Sequence, residues 1–136
     1  MANINEICAE IVHDVDSAVA CSVVDLTTGL ILGINHTIPY FTNSYLDAVA
    51  AAAVEMMRGK NIRAIEDMLA SMRGTEKQTN LIEEVQMTTK GTYHFMAIIP
   101  EKPNSLVVLI TTKKANLGMG WAAVRQSLPK LAPLCP

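Results

Sequence analysis

Two apolar runs, VACSVVDL (residues 19–26) and LILGIN (residues 30–35), are joined by only Thr27, Thr28 and Gly29. A link that short makes the runs antiparallel neighbours in a hairpin. Gly29 can adopt the positive φ that such a turn requires, and the Asp25 carboxylate can accept hydrogen bonds from the turn backbone. Neither run alternates apolar with polar residues. A strand that is apolar at nearly every position is buried on both faces, so helices must lie on both sides of the sheet that holds it.

The rest of the chain supplies those helices and more strands. In NINEICAEIVHDVDSA, Asn3 and Glu6 form an approximate capping box. Ile4, Ile7, Cys8, Ile11, Val12 and Val15 then recur at helical spacing, with the acids on the opposite side. After the hairpin, Pro39 suits a connection, and a second helix starts from Ser44 with Asp47 or from Thr42. Its apolar face is Leu46, Val49, Ala50, Ala53, Met56 and Met57. The run Ala48–Ala53, broken only by Val49, is small on nearly every side. Helix propensity accounts for it, and so does a close approach by another helix, in the same subunit or in a second one.

Gly59 ends or bends that helix. NIRAIEDMLASMRG resumes helical spacing with Ile62, Ile65, Met68, Leu69 and Met72, as an extension or as a separate short helix closing at Gly74. Three closely linked strands follow as an antiparallel meander: LIEEVQMTT, TYHFMAIIP and, after the loop EKPN, SLVVLITT. Glu83 and Glu84 interrupt the first, which suits an edge. The last is apolar throughout and belongs in the middle of the sheet. A final helix begins near Asn116, is weakened by Gly118 and Gly120, and ends or kinks near Pro129. The 136 residues form one domain without repeat or linker, long enough to bury about two-thirds of the unfolded chain's surface.

Charge is distributed unevenly. Residues 1–55 carry seven acidic side chains and neither Lys nor Arg, whereas the remainder carries six acidic and eleven basic ones, within a net charge of −2. Such polarity can steer a charged partner or simply mark two solvated faces. The basic residues are scattered and not interleaved with aromatics, which argues against a nucleic-acid groove. No apolar run approaches the roughly 18 residues of a membrane span, and MANINEICAEI lacks the pattern of a secretory signal. Cys8 and Cys21 lie in apolar patterns and read as buried, reduced thiols, so a cytoplasmic location is expected. Cys135, near the terminus, reads as open to air oxidation.

No catalytic arrangement emerges. His13, His36 and His94 fall in three different elements without metal-ligand spacing. Cys8 and Cys21 lack a flanking base. His94 reads as a surface or hydrogen-bonded strand residue. Glu83 and Glu84, as strand neighbours, point to opposite faces and cannot share a site. Gly118 and Gly120 do not complete a dinucleotide-binding fingerprint, and residues 58–61 (RGKN) lack the spacing of a phosphate-binding loop. Trp121 reads as a helix residue packed on the sheet. No catalytic, cofactor or metal residues are therefore assigned.

The succession of VVDLTTGLILG, then a helix, then YHFMAIIPEKPNSLVVLITTKKANLGMGWAAVRQSLPKL resembles the roadblock/dynein light chain family over most of the chain. The matching Asn-Leu-Gly helix start is Asn116, Leu117 and Gly118. The resemblance implies an α/β (α+β) domain of profilin-like architecture. Its five-stranded antiparallel sheet is covered by helices on both faces, the second helix on one and the terminal helices on the other. It also implies a homodimer formed through the second helix and the adjoining edge strand. Here those are Val49, Ala53, Met56 and Met57, with Ile82, Glu83, Val85 and Met87. Family members are not enzymes in their own right; they bind Ras-like small GTPases, sometimes stimulating hydrolysis, or act as scaffolds. Arg58, Arg63 and Arg73 are positioned on the helical segment, and none has the signature of an arginine finger. Residues 42–73 exceed the family's usual second helix by an additional amphipathic segment from about Asn61. A small-molecule-binding sensory module of profilin-like fold is the alternative, and it requires polar groups converging on a cavity.

Overall fold

A computed structural model describes residues 2–136. In chain order it contains α1 (Ile4–Asp14), β1 (Ala18–Asp25), β2 (Ile31–His36), α2 (Asn43–Arg58) and α3 (Lys60–Arg73). β3 (Glu84–Thr88), β4 (Thr92–Ile99), β5 (Lys102–Thr112) and α4 (Leu117–Leu131) follow, and a 3₁₀ turn (Ala132–Leu134) closes the chain. The strands form one antiparallel sheet in the order β2-β1-β5-β4-β3. The apolar strand β5 is central and the interrupted strand β3 is an edge, as their sequences require.

Local chemistry sets the element boundaries. Asn3 caps α1, accepting from the Glu6 N–H at 2.9 Å, while its amide donates to the Glu6 carboxylate at 3.3 Å. In the first hairpin Asp25 accepts from the Thr27 N–H at 3.0 Å and the Thr28 hydroxyl at 2.9 Å, and Gly29 takes φ 76°. Of the two starts open to α2, Thr42 is the cap, accepting from the Tyr45 N–H at 3.2 Å. Asn116 caps α4 through the Met119 N–H at 3.2 Å.

Each sheet face has its own core. Facing α1 and α4, the residues Cys21, Val23, Phe95, Ala97, Val107 and Leu109 pack with Ile7, Cys8, Ile11, Val124 and Leu131. Phe95 is fully buried, its ring edge-on to Trp121 at 5.3 Å between centroids. Gly120 lies so close that a Cβ there would sit 2.5 Å from the Phe95 ring, which explains a glycine inside α4. On the other face Val24, Leu106, Val108 and Met96 pack with Ala50, Ala53 and Met57 of α2. The terminal helices thus share one side and α2 takes the other.

Three details differ from the sequence reading. The link EKPN is shorter than expected: the turn is Pro100-Glu101, with Glu101 at φ 66°, and β5 begins at Lys102. A register shift between Ile98 and Ile99 accommodates that start, beside a proline that cannot donate to the ladder. α4 runs through Pro129 to Leu131, with the proline in its last turn at the cost of the bond that residue 129 would donate to the Arg125 carbonyl. Cys135 is only 5% exposed: the final 3₁₀ turn folds it into the core, so it is not an open terminal thiol.

Candidate interaction face

The residues expected at a partner surface fall into two groups. On α2, Ala53 (3% exposed) and Met57 (1%) belong to the chain's own core and are not presented to a partner. Val49 and Met56 are half-buried and line a cavity beneath the helix. The outward face of α2 is instead Ala48, Ala51 and Glu55, flanked by Ala52, which is exposed and also borders the cavity. The alanine run therefore has two faces, one against the sheet and one turned outward, and the residues expected from sequence lie on the inner one.

On β3, Val85 and Met87 point to the α2 side and are half-buried, as is Ile82 just before the strand, while Glu83 is exposed. Glu84 turns to the other face and meets Arg125 of α4 at 3.2 Å. Arg125 also lies over the Trp121 ring, 5.2 Å from its centroid. The two sheet edges differ. At β2, the Asn5 side chain of α1 accepts from the Ile34 N–H at 2.8 Å and so occupies part of the edge. β3 carries no such helix-borne partner among the described hydrogen bonds and presents its outer edge.

The helical region 42–73 is two helices. Gly59, extended at φ −66° and ψ 168°, separates them. Arg58 anchors the junction, donating to the Asn104 side chain at 2.6 Å and to the Pro103 carbonyl. Burial and the neighbouring Arg63 lower its pKa, and the carboxylates of Glu66 and Asp25 oppose that shift. Arg63 donates to the Arg58 carbonyl at 3.2 Å. Two of the three arginines considered above are thus engaged in the helix junction, and Arg73 is exposed at the end of α3. α3 buries only Glu66, which accepts from the Leu81 N–H at 2.9 Å. It leaves Ile65, Met68 and Met72 51%, 61% and 79% exposed.

Beneath the N-terminal half of α2 is a cavity of about 400 Å³. Val49, Met56, Met87 and Met96 contribute to its wall, with Thr92 and His94 of β4. His94 is half-buried, and burial pushes its imidazole pKa down. Among the described residues no three His, Cys, Asp or Glu side chains gather as metal ligands. Nor is any described helix long and apolar enough to cross a membrane.

Comparison with solved structures places this arrangement of sheet and helices. A Roadblock/LC7 domain from Streptomyces avermitilis superposes with a TM-score of 0.67 over 97% of both chains, at 12% identity. The gliding protein MglB of Thermus thermophilus gives a TM-score of 0.68 at 18% identity, covering 96% of this chain and 86% of that one. An MglB with tetrameric arrangement gives 0.71 at 17% identity, covering 96% and 85%. This is the roadblock fold. By sequence, no family model and no curated protein matches. The likeness resides in the backbone arrangement, at 12–18% identity. In this chain α2 and β3 both border the cavity, through Val49, Ala53, Met56 and Met87, and α3 presents Ile65, Met68 and Met72 to solvent.

Proposed function

We propose that this chain is a non-enzymatic regulator or scaffold, acts in the cytoplasm as a homodimer, and binds a Ras-like small GTPase. The observation that carries this reading is the pairing of the uncovered β3 edge with the small-residue outer face of α2. An exposed edge strand is a template for a second strand. A self-complementary patch can close by two-fold symmetry. Ala48, Ala51 and Ala52 allow a second helix to approach closely. The likeness to MglB structures, one of them in a tetrameric arrangement, supports an assembling platform. The family resemblance supplies the GTPase as partner class. Any effect on hydrolysis would come from ordering the partner's own phosphate site.

Light scattering on the wild type and on Ala51→Glu tests the assembly. A dimer that the substitution splits, with the fold unchanged, supports the reading; a wild-type monomer removes the dimer. Binding of Ras-like GTPases in their GTP- and GDP-loaded states, followed by fluorescence anisotropy of the labelled nucleotide, tests the partner. State-dependent binding supports it. Absence of binding across a panel of such GTPases overturns that part.

A further inference from the structure

The cavity under α2 differs from a packing defect in the way its polar groups are arranged. Its wall holds no Lys, Arg, Asp or Glu among the described residues, and most of it is aliphatic or thioether. Three of the polar side chains are gathered on one side, at the β3–β4 turn, while Ser22 of β1 and Tyr45 of α2 stand apart from them. Thr89 Oγ1 and Thr92 Oγ1 lie 2.6 Å apart, and Thr92 Oγ1 lies 2.9 Å from His94 Nε2. Thr92, His94 and Met96 alternate along β4, so all three face α2 and the polarity fades from the β3–β4 turn toward the sheet centre.

Exposure runs the same way. Thr89 is exposed, Thr92 and His94 are half-buried, and Met96 is 1% exposed. The mouth is therefore polar and the interior apolar. Burial lowers the His94 pKa, so the imidazole is neutral at pH 7 and the mouth offers hydrogen bonds without charge. A volume of about 400 Å³ lies in the range of small-molecule sites, which are mostly apolar with a few polar groups fixing orientation.

We infer that this cavity is a binding site for a small neutral amphiphile, its hydrocarbon part lying between α2 and the sheet and its hydroxyl or carbonyl hydrogen-bonded within the Thr89–Thr92–His94 group. The lining selects against a charged head, because no formal charge faces it. It also selects against a wholly polar ligand, because Val49, Met56, Met96, Val108 and Ile110 would desolvate that ligand without compensation. The site stands independently of the GTPase reading, since none of the observations behind it involves a partner protein.

Methionine methyl NMR on the full chain provides the test, with decanol as the probe. Met56, Met87 and Met96 line the cavity, whereas Met68, Met72 and Met119 are exposed elsewhere and serve as internal controls. Saturable shifts confined to the first three methyls are expected. Equal shifts at all six, or none up to the solubility limit, overturn the site. Thr92→Val should weaken decanol binding about fivefold, the effect of losing one hydrogen bond. An unchanged affinity overturns the assignment of the head group. Decanoate should bind at least about tenfold more weakly than decanol at neutral pH, because its charge would lie unpaired at the mouth. Equal binding overturns the neutral-ligand selectivity. Ala53→Leu fills the cavity and should abolish the shifts. Because Ala53 is buried, Val49→Trp at a half-exposed position is the companion variant, and decanol binding that survives in a folded filler variant overturns the site. Spectra at high and low protein concentration separate a small ligand from a second copy. Methyl shifts that follow protein concentration and ignore decanol overturn the proposal and assign the wall to the dimer.

Discussion

The two faces of the sheet are built to different standards. Against α1 and α4 the sheet itself is closely covered: Phe95, Ile99, Val107 and Leu109 are fully buried, and Gly120 leaves room for little but the Phe95 ring. The open volume on that side is lined by residues of the two helices and their flanking loops, with no strand residue among those described in its wall. Against α2 the C-terminal half of the helix is seated through Ala53 and Met57, but the N-terminal half stands over a cavity with Leu46 and Val49 only half-buried. Close packing specifies a unique structure. A side left incompletely filled specifies less and remains able to accept something. The comparison assigns close packing to the α1/α4 face and leaves open volume on the α2 face, where both proposals lie.

The contrast breaks first at Phe95. Phe95→Ala removes a fully buried ring that meets Trp121 and Gly120, and it should destabilise the chain by about 3–5 kcal/mol in urea denaturation. A loss below about 1 kcal/mol would mean that the α1/α4 face relaxes readily and that its close packing is not what holds the fold.

Neighbouring residues of β5 sharpen the same comparison, because they differ in little but the face they enter. Leu109 is fully buried on the α1/α4 side, and Ile110 lines the cavity on the other. Leu109→Ala should cost about 2–5 kcal/mol. Ile110→Ala should cost about 1 kcal/mol, since part of its wall already faces empty volume and the substitution mainly enlarges an existing cavity. Equal losses would show that both faces are packed alike in solution.

This difference between faces was only partly legible in the sequence. The turn chemistry was: Asp25 and Gly29, Asn3 with Glu6, and Asn116 each act through hydrogen bonds to backbone a few residues away, and such local bonds are written in short stretches. The central place of β5 and the edge place of β3 were legible too, because hydropathy reports how many faces of a strand are buried. The apolar face of α2 was legible as well, since Ala50, Ala53 and Met57 are the residues it buries. What could not be read was whether that face meets this chain's own sheet or a second subunit; only the seating of the helix on Val24, Leu106 and Val108 decides. The polar mouth was hidden for a related reason. Thr89 reaches Thr92 and His94 only once the β3–β4 turn folds back, and nothing in TTKGTYHF alone fixes that hydroxyl-to-imidazole chain. The register of the β4–β5 turn escaped as well, because Lys-Pro-Asn has loop composition although Lys102–Asn104 continue the strand.

A smaller effect should appear in the pH dependence of stability. Burial holds the His94 imidazole below its ordinary value of 6.5, so just below that pH the unfolded chain binds a proton that the folded chain does not. The stability linked to His94 is then fully present above pH 6.5 and is lost as the pH falls toward the folded value. Urea midpoints measured on either side of pH 6.5 should drop more for the wild type than for His94→Gln. Parallel curves for the two proteins would place His94 in a water-like environment and remove the desolvated mouth from the picture of the α2 face.

The smallest expected change in stability carries the most information about the outer side of that face. Ala51 is exposed, so Ala51→Glu should alter the unfolding free energy by no more than about 0.5 kcal/mol at a concentration where the chain is monomeric. Ala53→Glu, on the inner side of the same helix, would instead place a carboxylate in the core beside Leu106 and Met96 and would report folding alone. A neutral Ala51→Glu that nevertheless lowers the mass in solution separates assembly from folding. It would locate the interaction of the α2 face on its outward alanines and leave the cavity beneath them free to act as a site of its own. A substitution that destabilises the monomer instead would mean that Ala51 is packed against this chain's own residues, and the division of α2 into an inner and an outer face would have to be redrawn.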